Sequence, residues 1–205
     1  MRRLDQQMRF VAETGRLKGV LRQTMLAGEG LNRRENSAEH SWHLAAMALV
    51  LAEHAPAGTD LTKVTGMVLI HDLVEIDAGD LFLYADADAQ ARQEAAERAA
   101  ADRIFAILPA DQAATLRQLW DEFNARQTPE AKFARALDRL QPMLANLTAG
   151  GGTWQRNGIT ADQVLAKVAL IDDGSPSLGV LARDLVGEAV ARGILPPPVP
   201  REGTA

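Results

Sequence analysis

The chain has 205 residues and a formal net charge of −5. That length suits one domain with enough mass to bury a core, and the acidic balance argues against binding duplex nucleic acid, which needs a basic face. The absence of cysteine removes disulfides, thiolate metal sites and cysteine nucleophiles, and it fits a cytoplasmic protein. No apolar run reaches the ~18–20 residues of a membrane span. The start, MRRLDQQMRFVAE, is charged and does not read as a signal peptide.

Taken in chain order, residues 4–13 predict a first helix ended near Gly15, and 16–22 a short second one. Residues 28–37 (GEGLNRRENS) read as a loop. Asn36 and Glu39 form a capping box that opens a helix to about residue 54, with Leu44, Met47, Ala48 and Leu51 as its apolar face. Residues 56–60 are a turn and 61–73 a further helix. After a loop at 81–89, helices are expected over 88–107 and 111–124, separated by Pro109. Thr128-Pro129-Glu130 is a start signal: an N-cap, a proline at the first helical position and an acid in the first turn. The helix it opens runs to the glycines at 150–152, with Pro142 expected to kink it. Thr160 with Gln163 opens another helix to about 171, and Ser175-Pro176 the last, to about 192. Residues 196–205 predict an extended or disordered Pro-rich tail. No strand pair is evident. The expectation is an all-α bundle of eight or nine helices, one domain over 1–195.

Residues 67–80, MVLIHDLVEIDAGD, raise the functional question. An apolar run delivers His71 and Asp72, then Glu75, Asp77 and Asp80. Charged groups rarely go inside unless they are paired or bind a metal. His71 and Asp72 are either a pair at a solvated helix end or two ligands of a cation there. His40 and His43, three apart on one helix, are either structural or a site pair, His40 being the stronger candidate. The spacing is not the HExxH of zincins. His54 suits a helix C-terminus, where the dipole favours it. Asp138 interrupts an apolar helix face as either a surface ion pair with a neighbouring arginine or a fourth ligand. The ordered set H…HD…D is more specific than its parts, and its mixed nitrogen and oxygen donors suit Mn, Fe, Co, Ni or Zn. Trp42, Trp120 and Trp154 read as core anchors, Asp77 as a cap before Gly79, and 90–103 as a solvated helix face.

Glu39-His40, HDLVEIDAGD at 71–80 and LDRL at 137–140 together resemble the HD-domain metal-dependent phosphohydrolases. HDxxExxxGD and RRENSAEHS resemble the compact 5′-deoxynucleotidase-like branch. The resemblance covers about residues 17–150, with the helices of 160–192 following. It implies an HD-type helical bundle and one divalent transition metal held by His40, His71, Asp72 and Asp138. It assigns Glu75 to the attacking water, Asp80 to the leaving-group side, and Arg22 to the phosphate or sugar. Arg33 and Arg34 are further candidates for a phosphate clamp, or else a solvated loop pair. Where some members follow the arginine with Trp, this chain has Gln23, and AGGGTWQRNG at 149–158 also departs from them. The implied reaction is hydrolysis of a (deoxy)nucleoside 5′-monophosphate to nucleoside and phosphate. Nucleoside triphosphates, alarmone-type nucleotides and a non-catalytic metal- or nucleotide-binding module are the alternatives, together with a purely helical interaction protein. The expected partner is the small-molecule nucleotide, with no nucleic acid and no membrane; the resemblance also allows a homodimer.

Overall fold

The computed structural model describes residues 2–28 and 31–198. The helices are α1 (Arg3–Thr14), α2 (Ser37–Val50), α3 (Leu61–Ile70), α4 (Glu75–Ala78), α5 (Ala87–Phe105), α6 (Ala110–Ala125), α7 (Pro129–Thr148), α8 (Gly152–Arg156), α9 (Ala161–Gly174) and α10 (Pro176–Ala191). The fold is all-α, as the pattern of helix signals implies. Residues 199–205 of the expected tail and residues 29–30 of the expected loop lie outside the described residues.

One element departs from the all-helical expectation. Strands β1 (Leu21–Gly28) and β2 (Leu31–Asn36) form an antiparallel hairpin, with Met25 opposite Arg34 and Leu26 opposite Arg33. Residues 16–22 are therefore not a helix: a 3₁₀ turn covers Gly15–Gly19 and the strand begins at Leu21. Apart from Thr24 the hairpin strands hold none of the β-branched and aromatic residues that mark strands. It is held instead by polar groups: the Arg34 guanidinium donates to the Leu21 carbonyl at 2.8 Å and to that of Arg22. A register irregularity between Leu21 and Met25 breaks the ladder beside Arg22.

Local signals set the helix starts. Asn36 Oδ1 accepts the Glu39 N–H at 3.0 Å while the Glu39 carboxylate accepts the Asn36 N–H at 3.1 Å. These bonds satisfy donors that the first helical turn leaves without partners. Thr128 Oγ1 caps α7 through the Ala131 N–H at 3.3 Å. At its other end Gly150, Gly151 and Gly152 all have positive φ, at 62°, 111° and 40°, conformations open to glycine at little cost. α7 continues through Pro142, which removes the N–H that the Asp138 carbonyl would accept.

α7 is the axis of the bundle. Phe133, Ala134, Ala136, Leu137 and Leu140 are buried in the main apolar cluster, which also takes in α2, α3, α9 and α10. A second cluster gathers Phe10, Leu73, Val74, Ile104, Phe105 and Trp120. The predicted 61–73 helix ends early, at Ile70, and tightens into a 3₁₀ turn over His71–Val74. That turn lies at the seam between the clusters, with Val68 in the first and Leu73 in the second. Trp120 and Trp154 are buried, but Trp42 is not a core anchor: it is 68% exposed on the outer face of α2, near the exposed Leu49 and Val50. Asp77 pairs with Arg103 rather than capping the turn before Gly79. His54 closes a short 3₁₀ turn, its Nδ1 3.0 Å from Ser177 Oγ.

α9 approaches α7 so closely that a Cβ at Gly174 would sit 2.2 Å from the Lys132 carbonyl oxygen. Gly174→Ala is expected to destabilise the protein by about 1–3 kcal/mol through overpacking, since a backbone carbonyl cannot swing aside. Chemical denaturation measures it; a loss below about 0.5 kcal/mol, the size of an ordinary surface change, would mean that the two helices separate freely.

Candidate active site

Three elements converge on one point. The capping box fixes the first turn of α2 and with it His40; the 3₁₀ turn after α3 supplies His71 and Asp72; α7 supplies Asp138. All four are buried, His40 completely. His40, His71 and Asp72 each offer one ligand atom, and these atoms lie within 4.8 Å of one another. Asp138 Oδ1 is 3.1 Å from His40 Nε2 and 3.7 Å from His71 Nε2. The imidazole centroids are 5.6 Å apart.

Outer contacts turn the rings. His40 Nδ1 donates to Gln141 Oε1 at 3.0 Å, and His71 Nδ1 donates to the Val68 carbonyl at 2.9 Å. With the proton on Nδ1, each Nε2 directs a lone pair inward, the tautomer a metal ligand needs. His71 Nε2 then lies 2.9 Å from Asp72 Oδ1 with no hydrogen-bond partner. Lone pairs and carboxylate oxygens facing each other in a buried site need a cation between them. His40, His71 and Asp72 could therefore hold a divalent metal ion, and their nitrogen and oxygen donors suit a first-row transition metal.

Titration follows the same logic. Burial, with Arg22 nearby, lowers His40 to about 4 and keeps it a neutral ligand. Burial also opposes charge on His71, but the Asp72 and Asp138 carboxylates outweigh it and raise the imidazole to about 10. A proton there supplies the positive charge the carboxylates require, and a metal would compete for the same atom. Burial pushes Glu75 well above the ordinary carboxylate range, helped by Asp72 and Asp80, while Arg22 and Ser37 pull the other way. Ser37 Oγ donates to Glu75 Oε2 at 2.6 Å. Asp80 is raised by burial and accepts the Gln23 N–H at 2.8 Å.

Arg22 joins these groups. Its guanidinium donates to Asp72 Oδ2 at 2.8 Å and lies 3.4 Å from Glu35 and 3.9 Å from Asp80. Glu35, on β2, is only 2% exposed, and burial pushes its carboxyl up to about 7. Gln141 bridges it to His40, donating to Glu35 Oε1 at 2.8 Å while accepting from the His40 ring. Nothing local in the sequence marks Glu35, because a glutamate in a loop-like segment carries no burial signal.

A cavity of about 300 Å³ opens from this point. Arg22, His71, Asp72, Glu75, Asp80 and Asp138 line it, and His40 lies behind. Arg33 and Arg34 do not line it. Arg33 is exposed and pairs with Glu39 at 2.6 Å, and Arg34 is taken up by the hairpin carbonyls. The cations that do line it are Arg22, Arg126, Arg135, Arg139 and Lys167. Arg135 and Arg139 approach Asp138 Oδ2 at 2.9 and 3.4 Å, so Arg139 is not a surface neighbour: its side chain is 19% exposed. The pair was legible in principle, since positions 135, 138 and 139 share one helix face. Arg126 and Lys167 gave no such sign. The 149–158 segment is both a helix stop and a cavity wall, with Thr153 and Trp154 lining the cavity.

Residues 14–178 match the HD domain family. The chain belongs to that family. It is 30% identical over 139 residues to 5′-deoxynucleotidase HDDC2 of Homo sapiens, covering 67% of this chain and 65% of the human protein. The corresponding Bos taurus protein is 31% identical over 140 residues, covering 67% and 64%. The matched stretch thus spans slightly less than two thirds of these relatives. A solved structure described as a predicted metal-dependent phosphohydrolase from Magnetospirillum magnetotacticum superposes with a TM-score of 0.89 at 52% identity, over 94% of this chain and 95% of that one. The PH0347 protein of Pyrococcus horikoshii, 19% identical with a TM-score of 0.58 over 87% and 99%, shares the fold.

Gln141→Leu would free the His40 ring and strand Glu35. Affinity for Mn or Co is expected to fall about 10–100-fold, as for other partners of metal-ligating histidines. Calorimetric metal titration measures this, and an unchanged Kd would show that Gln141 does not orient His40.

Proposed function

We propose that this HD-domain chain, one catalytic unit over 1–195, is a divalent-metal-dependent phosphomonoester hydrolase. Its substrate is a (deoxy)nucleoside 5′-monophosphate and its products are nucleoside and phosphate. The observation that carries the reading is the convergence of His40, His71 and Asp72, whose ligand atoms lie within 4.8 Å of one another, at the head of a cavity that also holds Glu75 and Asp80. The likeness to proteins named 5′-deoxynucleotidase supports the substrate class.

His40, His71, Asp72 and Asp138 would hold the metal, with Mn, Co, Fe, Ni and Zn all compatible with the donors. When bound, a divalent ion supplies Lewis acidity toward the phosphoryl oxygens and makes water more acidic. The chain's own groups do the rest. Glu75, made basic by burial and fixed by Ser37, accepts the proton of the attacking water. Water oxygen adds to phosphorus, the ester P–O bond breaks, and its electron pair goes to the departing sugar oxygen. Asp80, held by the Gln23 N–H and raised by burial, delivers a proton there. Arg22, Arg135 and Arg139 line the cavity close to the ligand set and hold the non-bridging oxygens by charge-assisted bonds.

Phosphate release from a panel of nucleoside monophosphates, with and without added Mn or Co, tests the reading. Release is expected only with metal, and Glu75→Gln is expected to lower kcat by about 10²–10⁴-fold, the usual scale for a general base. A metal-loaded protein that releases phosphate from none of them would overturn it.

A further inference from the structure

Strand β2 grips Arg22 at both ends. Arg34 donates to the Arg22 carbonyl and, at 2.8 Å, to that of Leu21, which fixes the backbone. Glu35, the next residue, reaches the side chain: its Oε2 lies 3.4 Å from Arg22 Nε. Leu21 stands opposite Asn36 and the ladder is irregular from there to Met25. The two side chains therefore meet where regular pairing lapses.

Glu35 is not needed to neutralise Arg22. Asp72 Oδ2 already accepts from Arg22 Nη1 at 2.8 Å, and Asp80 lies 3.9 Å from the same atom. Nor does the core gain from a carboxylate that is 2% exposed, because burying it costs free energy unless both oxygens find partners. One does: Oε1 accepts from Gln141 Nε2, which joins Glu35 to His40. The other does not. Oε2 has no hydrogen-bond partner, and neither has Arg22 Nε, the nearest cationic atom to it; His40 Nδ1, at 3.8 Å, is already given to Gln141. Opposite charges facing each other just beyond hydrogen-bond length in a buried site attract strongly, since little water screens them.

The guanidinium thus hangs between two carboxylates, Nη1 on Asp72 and Nε toward Glu35. Among the described residues its Nη2 donates no hydrogen bond, and Arg22 lines the cavity. With the pull of Glu35 removed, Asp72 and Asp80 would draw the whole fork onto themselves.

We propose that Glu35 is a positioning residue, which holds the Nε edge of Arg22 toward the hairpin and so keeps the guanidinium from closing onto Asp72 and Asp80, with Nη2 free for the phosphate of the substrate. This deepens the hydrolase reading and rests on it. The two oxygens of Glu35 have separate tasks: Oε1 steadies Gln141 behind His40, and Oε2 steers Arg22.

Glu35→Gln separates them. Its amide oxygen still accepts from Gln141, while an NH2 of equal size replaces the oxygen that faces Arg22 and cannot attract it. Two quantities are measured on the full chain: binding of deoxyadenosine 5′-monophosphate in EDTA by calorimetry, and kcat and KM with Mn. Glu35→Gln is expected to weaken binding and raise KM about tenfold, the scale of one charge-assisted contact, with kcat changed by less than about threefold. Glu35→Asp, which keeps the charge, is expected to retain more of the affinity than Glu35→Gln. In an Arg22→Gln background Glu35→Gln is expected to add nothing, because a residue that acts through another has no effect once that other is gone. Losses that add in the double variant, a loss confined to kcat, or unchanged binding in Glu35→Gln would each overturn the inference and leave the hydrolase standing. A wild type that binds the monophosphate in EDTA but releases no phosphate with Mn would overturn the hydrolase reading, and the binding comparison would still decide the role of Glu35. A wild type that neither binds nor hydrolyses it overturns both.

Discussion

Buried carboxylates need countercharge, and Arg22 provides it for several at once. Asp72, Glu35 and Asp80 all lie within 4 Å of its guanidinium. Moving so many charges out of water costs several kcal/mol for each ion unless partners and hydrogen bonds compensate. The hairpin that carries Arg22 is therefore part of the site. It brings Arg22 in from one strand and Glu35 from the other, and the Gln23 N–H secures Asp80. On the far side of β1, the Gln23 carbonyl accepts from Thr153 Oγ1 at 2.8 Å, tying the strand to α8.

α7 links this electrostatic cluster to the apolar core. One face buries Phe133, Leu137 and Leu140; another presents Arg135, Asp138, Arg139 and Gln141. Displacing the carboxylate would mean repacking the centre of the bundle, so the ligand geometry inherits the rigidity of a close-packed interior. His71 is held in the same way from outside, its carbonyl accepting Trp120 Nε1–H at 3.1 Å and its ring packing on Phe123. The seam between two hydrophobic clusters is where polar groups can converge without interrupting either.

Much of this was legible because the responsible physics is local. Asn36 and Glu39 announce the helix start that aims His40, and Thr128-Pro129 announces the one that carries Asp138. An apolar run ending in His-Asp marks a buried polar terminus. Other features had no local signal. The hairpin is polar, so no period-two apolar pattern reveals it. Arg33 and Arg34 were attractive because they sit beside the motif in sequence, yet the strand turns Arg33 to solvent and uses Arg34 to bond carbonyls. Trp42 is large and apolar, but among the described residues it stays mostly exposed on its helix face.

By itself the sequence determined the helical bundle and the residue types and order of the candidate metal cluster, because capping chemistry, apolar periodicity and the H…HD…D pattern act through neighbouring residues. Only the tertiary structure decided which arginines meet the cavity, that Glu35 lies buried behind His40, and that Gln141 joins them. Those facts depend on contacts between residues about a hundred positions apart, and no local preference encodes which distant side chains will share one pocket of low dielectric.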